Sequence, residues 1–214
     1  IMVGCSFACT LAFMYLVPQE LQRGLGMSST LAGLLMLPGG IVNAVCTLMA
    51  GRLFDRHGAR VLVWIGVVMA AIGGALFFAI GVDSGVVLFL AAHIIVMVGI
   101  PFIQQSAQSA ALKSLPGRMT ADGSTILNTM QQVCGAIATA VATCLLGLGQ
   151  TGYAAGGGAN AAQGFVDGSR YGYMFGLVLV AIVLVFSFML KGGKEEPKLV
   201  PVQVDDGAVE SLAV

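Results

Sequence analysis

Apolar residues run almost unbroken along six stretches of this chain, at about 1–17, 29–50, 61–81, 86–110, 124–148 and 171–190. Each is close to or above the roughly 20 residues that a helix needs to cross a hydrocarbon layer. The runs are long and lack period-two alternation, which argues against strands. The pattern therefore predicts an all-α membrane protein, with a six-helix transmembrane bundle over 1–190 and a cytoplasmic, disordered tail over 191–214.

The runs differ in their polar positions. The third and sixth are almost bare and are expected to face lipid over most of their surface. In the second, Met36, Gly39, Gly40, Asn43 and Thr47 fall on one helical face. His93, Met97, Gln104 and Gln108 do so in the fourth, and Thr125, Asn128, Gln132, Thr139 and Thr143 in the fifth. The first adds Ser6, Cys9 and Thr10. Amides and hydroxyls are costly in hydrocarbon, so these stripes are expected to face protein or water. One reading is a shared wet interior; the other is hydrogen bonding between helices, worth about 0.6 kcal/mol per contact in membranes. Striped, striped, plain, repeated twice, is the pattern of two inverted three-helix repeats. Pro38, Gly39 and Gly40, and Gly99 with Pro101, interrupt the second and fourth runs. They read either as hinges or as fixed kinks. Small-residue steps at Gly66/Ala70/Gly74 and Gly168/Gly172/Gly176 suit close packing within the bundle.

Charge then orients the bundle. Only 9% of the 214 residues are charged, yet Gly51 to Arg60 packs three arginines and an aspartate between two apolar runs. If the spans alternate, Arg52, Arg56, Arg60, Lys113, Arg118, Lys191, Lys194 and Lys198 share one side, against Arg23 and Arg170 on the other. Basic short loops stay cytoplasmic, so both ends of this chain are expected there. Composition agrees: 57% hydrophobic residues with zero net charge, and a mean hydropathy of +0.94, are more than a soluble domain can hide. The first run starts on Ile1 with no initiator methionine and no basic signal region in it, and the chain is expected to be the C-terminal part of something longer. Cys5, Cys9, Cys46, Cys134 and Cys144 follow no metal-site spacing and are expected to be packing thiols. No metal or cofactor is expected, and no nucleic-acid partner. Gly147-x-Gly149-x-x-Gly152 matches a dinucleotide fingerprint only on paper, since no strand precedes it. Asp122 is expected to cap the fifth span.

The segment Gly51-x-Leu53-x-Asp55-Arg56-x-Gly58-x-Arg60 resembles the loop signature of the major facilitator superfamily. Gly51 would let helix ends approach and Gly58 would allow the turn. Asp55 would accept from a neighbouring helix N-terminus, while Arg56 and Arg60 would hold carboxylates or lipid phosphates. Pro18-Gln19-Glu20-Leu21-Gln22, Gly24, Ser28 and Ala32 to Gly39 are similar to the fourteen-span drug:proton antiporters, as is Asn128 to Val133 with Gly135. The likeness covers roughly residues 11 to 145. It implies the C-terminal six-helix half of a multidrug exporter in the cell membrane, driven by proton influx. The implied partners are the bilayer, the missing N-terminal half, a small-molecule substrate and protons. Ala59 departs from the signature where many members carry a second basic residue.

The same residues supply a candidate interior. Met36, Met97, Phe102 and Met130 offer adaptable apolar contacts, with Asn43, Gln104, Gln108, Asn128 and Gln132 as orienting polar ones. Glu20, Asp83, Asp122 and Asp167 all fall at or near span ends, so the titrating carboxylate of a proton-driven carrier is expected in the absent half. His93 is the one ionisable group within a run, either a proton relay or a neutral histidine bonded to a neighbouring helix. A nutrient carrier of the same architecture, or a non-transporting scaffold, are the alternatives; an enzyme is disfavoured because His93 has no evident catalytic partner.

Overall fold

The computed structural model describes residues 1–81 and 84–189. The expected tail at 191–214 and Asp83 lie outside the described residues. Among the described residues six helices are long and apolar enough to cross a membrane. They are α1 (Met2–Gln19), α2 (Ser29–His57), α3 (Ala59–Ala79), α4 (Val86–Lys113), α5 (Thr120–Ala155) and α6 (Ala161–Ser187).

Helix ends follow capping chemistry that hydropathy does not register. The Ser28 side chain accepts from Leu31 N at 3.3 Å and opens α2. Asn160 Oδ1 accepts from Ala162 N at 3.0 Å and Gln163 N at 3.3 Å. That cap starts α6 at Ala161, ten residues before the apolar run, so Asp167 and Arg170 are helical. Asp122 is no cap: α5 begins at Thr120, and Asp122 sits in its first turn, where the helix dipole favours an anion. After Pro18 the first helix does not stop. It widens into a π-turn over Glu20–Gly24, with Leu25 N bonding Glu20 O at 3.0 Å. The span thus runs to Gly24 rather than ending near 17.

In the packing, α2 lies on α4 and α5 on α1, while α1 meets α4 and α3 meets α6. Exchanging the first triplet of helices for the second leaves this set of neighbours unchanged, as inverted repeats require. The triplets are not identical, for α5 packs along α6 whereas α2 barely touches α3.

In lipid the hydrophobic effect does not drive helices together, so close approach and shape must do so. The α3–α4 seam shows this. A Cβ on Gly66 would lie 2.6 Å from Gly99 O, and one on Gly99 would lie 2.6 Å from Ala70 N. Backbone therefore meets backbone, and Gly99, which the sequence suggested as a bending point, serves as a packing surface. Between α1, α3, α4 and α6 sits an aromatic cluster of Phe13, Phe77, Phe89 and Tyr173. Its ring centroids lie 4.8–5.7 Å apart. Such pairs are each worth about 0.5–1.5 kcal/mol beyond simple burial.

The bare spans α3 and α6 are 44% and 33% buried, yet they are not the most open of the six. The least buried spans are α2 and α5. Leu34, Leu37, Ile41, Val45 and Leu48 stand exposed along α2. The reason is that α3 and α6 each present small residues to a neighbour, Gly73 against Val96 and Gly172 against Leu16, whereas one long side of α2 and of α5 meets nothing among the described residues.

Candidate functional site

The polar stripes fall into two groups. Those of α2 and the upper part of α4 meet. Asn43 Nδ2 donates to Met97 O at 3.4 Å and lies 3.7 Å from Met97 Sδ. The His93 ring occupies the space where a Cβ on Gly39 would sit, so Gly39 is required for this approach. His93 lines a narrow crevice with Met36, Leu35, Val17, Leu21 and Phe89. It is buried, and its Nδ1 has no hydrogen-bond partner among the described residues. Gln104 and Gln108 are half-buried further along α4. Gly40 and Pro38 point away and are exposed. Pro101 is buried. Phe102 belongs elsewhere, packed with Cys46, Ala50, Phe54 and Leu62.

The α5 stripe forms the second group. Thr125, Asn128, Gln132 and Thr143 are exposed and Thr139 half-buried. Thr139 and Thr143 hydroxyls donate to the carbonyls of Gly135 and Thr139, at 3.0 and 2.7 Å, and so are satisfied within the helix. Asn128 and Gln132 have no such recourse. Met130 turns inward beside Gly4, and Gln131 is buried with an unpartnered Nε2 among the described residues. Ser6 and Thr10 of α1 bond their own helix, to Val3 O at 3.0 Å and Ser6 O at 2.9 Å. The four stripes thus do not enclose one interior within this bundle: α2 and α4 face each other, and α5 faces out. All five cysteines are free; Cys9 and Cys46 are buried and Cys144 is exposed. Gly147, Gly149 and Gly152 lie within α5, not after a strand.

The charged segment is also not the loop that its composition suggested. Gly51 to His57 form the last two turns of α2, and the turn itself is Gly58 alone. Its φ of 78° is a left-handed value that favours glycine. Gly51 is exposed with nothing within 4 Å of a Cβ among the described residues, so no close approach depends on it here. Asp55 accepts from Lys113 Nζ at 2.9 Å, a side chain at the end of α4 rather than a helix N-terminus. The same ammonium lies 4.4 Å from the centre of the Phe54 ring. Leu53 packs beneath, and Arg52, Arg56 and Arg60 are exposed without an ion pair among the described residues. In the sequence Lys113 registers only as a charge that orients the bundle; its position just past the fourth run is the signal for this contact.

At the opposite end lies a constellation of residues that hydropathy puts at or near span ends. Glu20 is 1% exposed, and the Tyr173 hydroxyl, from a fully buried ring, donates to Glu20 Oε2. Ser169, one turn earlier on α6, is buried beside it. Arg170 donates to Asp167 Oδ1 at 3.1 Å and to Ile80 O at 3.4 Å. Asp167 and Arg170 open onto a cavity of about 530 Å³ with Phe78, Tyr153 and Tyr171.

With this geometry in view, comparison with known proteins is decisive. The family model described as Major Facilitator Superfamily matches residues 1–139. The chain belongs to that superfamily. Its family is one of transporters, not enzymes. It is 36% identical over 200 residues to the lincomycin resistance protein LmrB of Listeria monocytogenes, covering 91% of this chain and 42% of that protein. LmrB of Bacillus subtilis is 35% identical over 196 residues, covering 89% and 41%. A multidrug resistance protein B homolog of Mycobacterium tuberculosis is 29% identical over 133 residues, covering 61% and 25%. The chain spans about 42% of the length of the first of these relatives. It is a multi-pass membrane protein with the six-helix half of a major facilitator fold.

Proposed function

We propose that this chain is one half of a proton-coupled exporter of drug-like amphipathic compounds, working by alternating access in the cell membrane. The observation that carries the reading is the outward polar face of α5. Asn128 and Gln132 are exposed amides on a span, and hydrocarbon cannot satisfy them. They need water or a second half, and a water-filled cleft between two halves supplies both. The open side of α2 fits the same cleft. The resistance relatives support a drug-like substrate. The basic Gly51–Arg60 segment supports a cytoplasmic position for its end of the bundle and for both chain ends.

The test is thiol labelling. In the full-length protein, single cysteines at Asn128 and Gln132 should react with a water-soluble maleimide and be protected by lincomycin or ethidium. Cysteines at Val68 and Val178, exposed on the bare spans, should stay unreactive. If Asn128 and Gln132 are as silent as Val68, no aqueous cleft adjoins α5.

A further inference from the structure

Three ionisable side chains gather where α6 meets the π-turn. Glu20 is buried against Tyr173, Asp167 is half-buried, and Arg170 lies near enough for its charge to reach Glu20. The other titratable group of the turn, Arg23, is exposed. From α2 the turn meets hydroxyl and amide chemistry, where Ser29 donates to Gln22 Oε1 at 3.0 Å. On its α1 side it continues into the crevice that ends at His93. Among the described residues this cluster therefore holds two carboxyl groups and one guanidinium.

Arg170 is committed to Asp167 and to the Ile80 carbonyl, which leaves Glu20 with a neutral phenol as its donor. A buried carboxylate facing only a neutral donor is costly, and one bound proton makes the cluster electrically neutral. The cavity is lined by Asp167 and Arg170, and Ser169 and Tyr173, which flank Glu20, are one and three residues from Arg170 on the same helix. Helix irregularities of the π type recur at functional positions, and Glu20 stands at the first position of this one.

We propose that the Glu20 carboxyl is a proton-exchange site built into this half, held by Tyr173 and reached through the Asp167–Arg170 cavity. In one state hydronium from the cavity gives its proton to the carboxylate, leaving water and a neutral acid. In the other, Arg170 moves from Asp167 to Glu20, and the proton returns to water. The inference rests on the proton-coupled reading above and adds the residue that does the exchange.

The experiment uses the full-length protein in proteoliposomes with an internal pH-sensitive dye, with ethidium and lincomycin as probes. Glu20→Gln keeps the shape and the acceptor for Tyr173 but cannot exchange a proton. It should cut drug-driven proton movement by about 10²-fold or more, the scale set by a positioned proton donor. Drug exchange without a pH gradient should persist. Glu20→Asp, which disturbs packing at least as much, should restore measurable proton movement. Wild-type protein that exports drug with no proton movement would sink the proton-coupled reading itself. Wild type and Glu20→Gln moving protons equally would overturn this inference alone. A second measurement needs no variant: a hydrophobic carbodiimide, which reacts with a protonated carboxyl in an apolar site, should label Glu20, and the label should fade as pH rises. Glu20 unlabelled across the pH range of transport would overturn the proposal even if Glu20→Gln fails to fold.

Discussion

Asp55 and Glu20 are carboxylates at opposite ends of the same bundle, and they are held by opposite means. Asp55 meets a full positive charge, yet its side chain is 69% exposed and that of Lys113 51%, so water and salt compete for both. Glu20 accepts from the neutral hydroxyl of Tyr173, with the Ser169 hydroxyl beside it, and all three side chains are buried. An exposed ion pair contributes little and is readily broken, which suits a contact made and unmade during a transport cycle. A buried hydrogen bond is costly to leave unmade, because the orphaned group has no water to turn to. The comparison teaches that formal charge is a poor guide to which contact holds the structure.

The difference is broken most severely at Tyr173. Tyr173→Ala removes the ring stacked on Phe13 and Phe77 and the donor to Glu20 together. It should cost about 3–5 kcal/mol, the range for an aromatic deleted from a packed core. Tyr173→Phe keeps the ring and loses only the hydroxyl, for about 1–3 kcal/mol. Thermal unfolding of the full-length protein in detergent measures both. A Tyr173→Phe protein as stable as wild type would mean that Glu20 has another donor and that the buried end is no stronger than the exposed one.

Why one end was legible and the other was not follows from the residues. The bundle itself is plain in the sequence because runs such as Val61 to Phe78 are apolar nearly all round. Asn43 and Met97 could each be placed on a polar stripe by periodicity alone, and the structure brings the two together. The Gly51–Arg60 segment stands out because charge is rare here, though its helical form is hidden: arginine and leucine are good helix formers, and only Gly58 breaks the run. Glu20 reads from sequence as lying at or near a span end, because Pro18, Gln19 and Glu20 look like a helix terminus. A π-turn keeps the backbone bonded past them, and no local sequence rule announces it. Ser169, Arg170 and Tyr173, spaced by one, three and four, were the signal for a polar patch inside α6. That signal is lost when the helix is started at 171, since hydropathy ignores the Asn160 cap. Periodicity also fixes a face without naming its neighbour, which is why the α5 stripe was grouped with those of α2 and α4.

At the exposed end the expected effects are smaller for stability and larger for function. Asp55→Asn removes the ion pair but leaves an acceptor for Lys113. Stability should fall by about 0.2–1 kcal/mol, within the range of exposed pairs. Drug export by the full-length protein should slow, with insertion and expression little changed. Export at the wild-type rate would reduce the segment to a topology anchor and leave Asp55 with no part in the cycle.

The smallest effect sharpens the comparison without any substitution. At about 0.1 M salt the screening length is about 10 Å, and at 1 M about 3 Å, close to the 2.9 Å that separates Lys113 Nζ from Asp55. Raising salt should therefore erase most of the stability gap between wild type and Asp55→Asn. Lys113 would keep its place over the Phe54 ring, since that contact needs only a short-range quadrupole. The gap between wild type and Tyr173→Phe should not move, because ions do not reach a hydroxyl buried between α1, α3 and α6. Melting curves of the three proteins at both salt concentrations read this directly. A Tyr173→Phe gap that shrinks with salt would place Glu20 within reach of bulk electrolyte, and the distinction between an open and a sealed carboxylate would be lost.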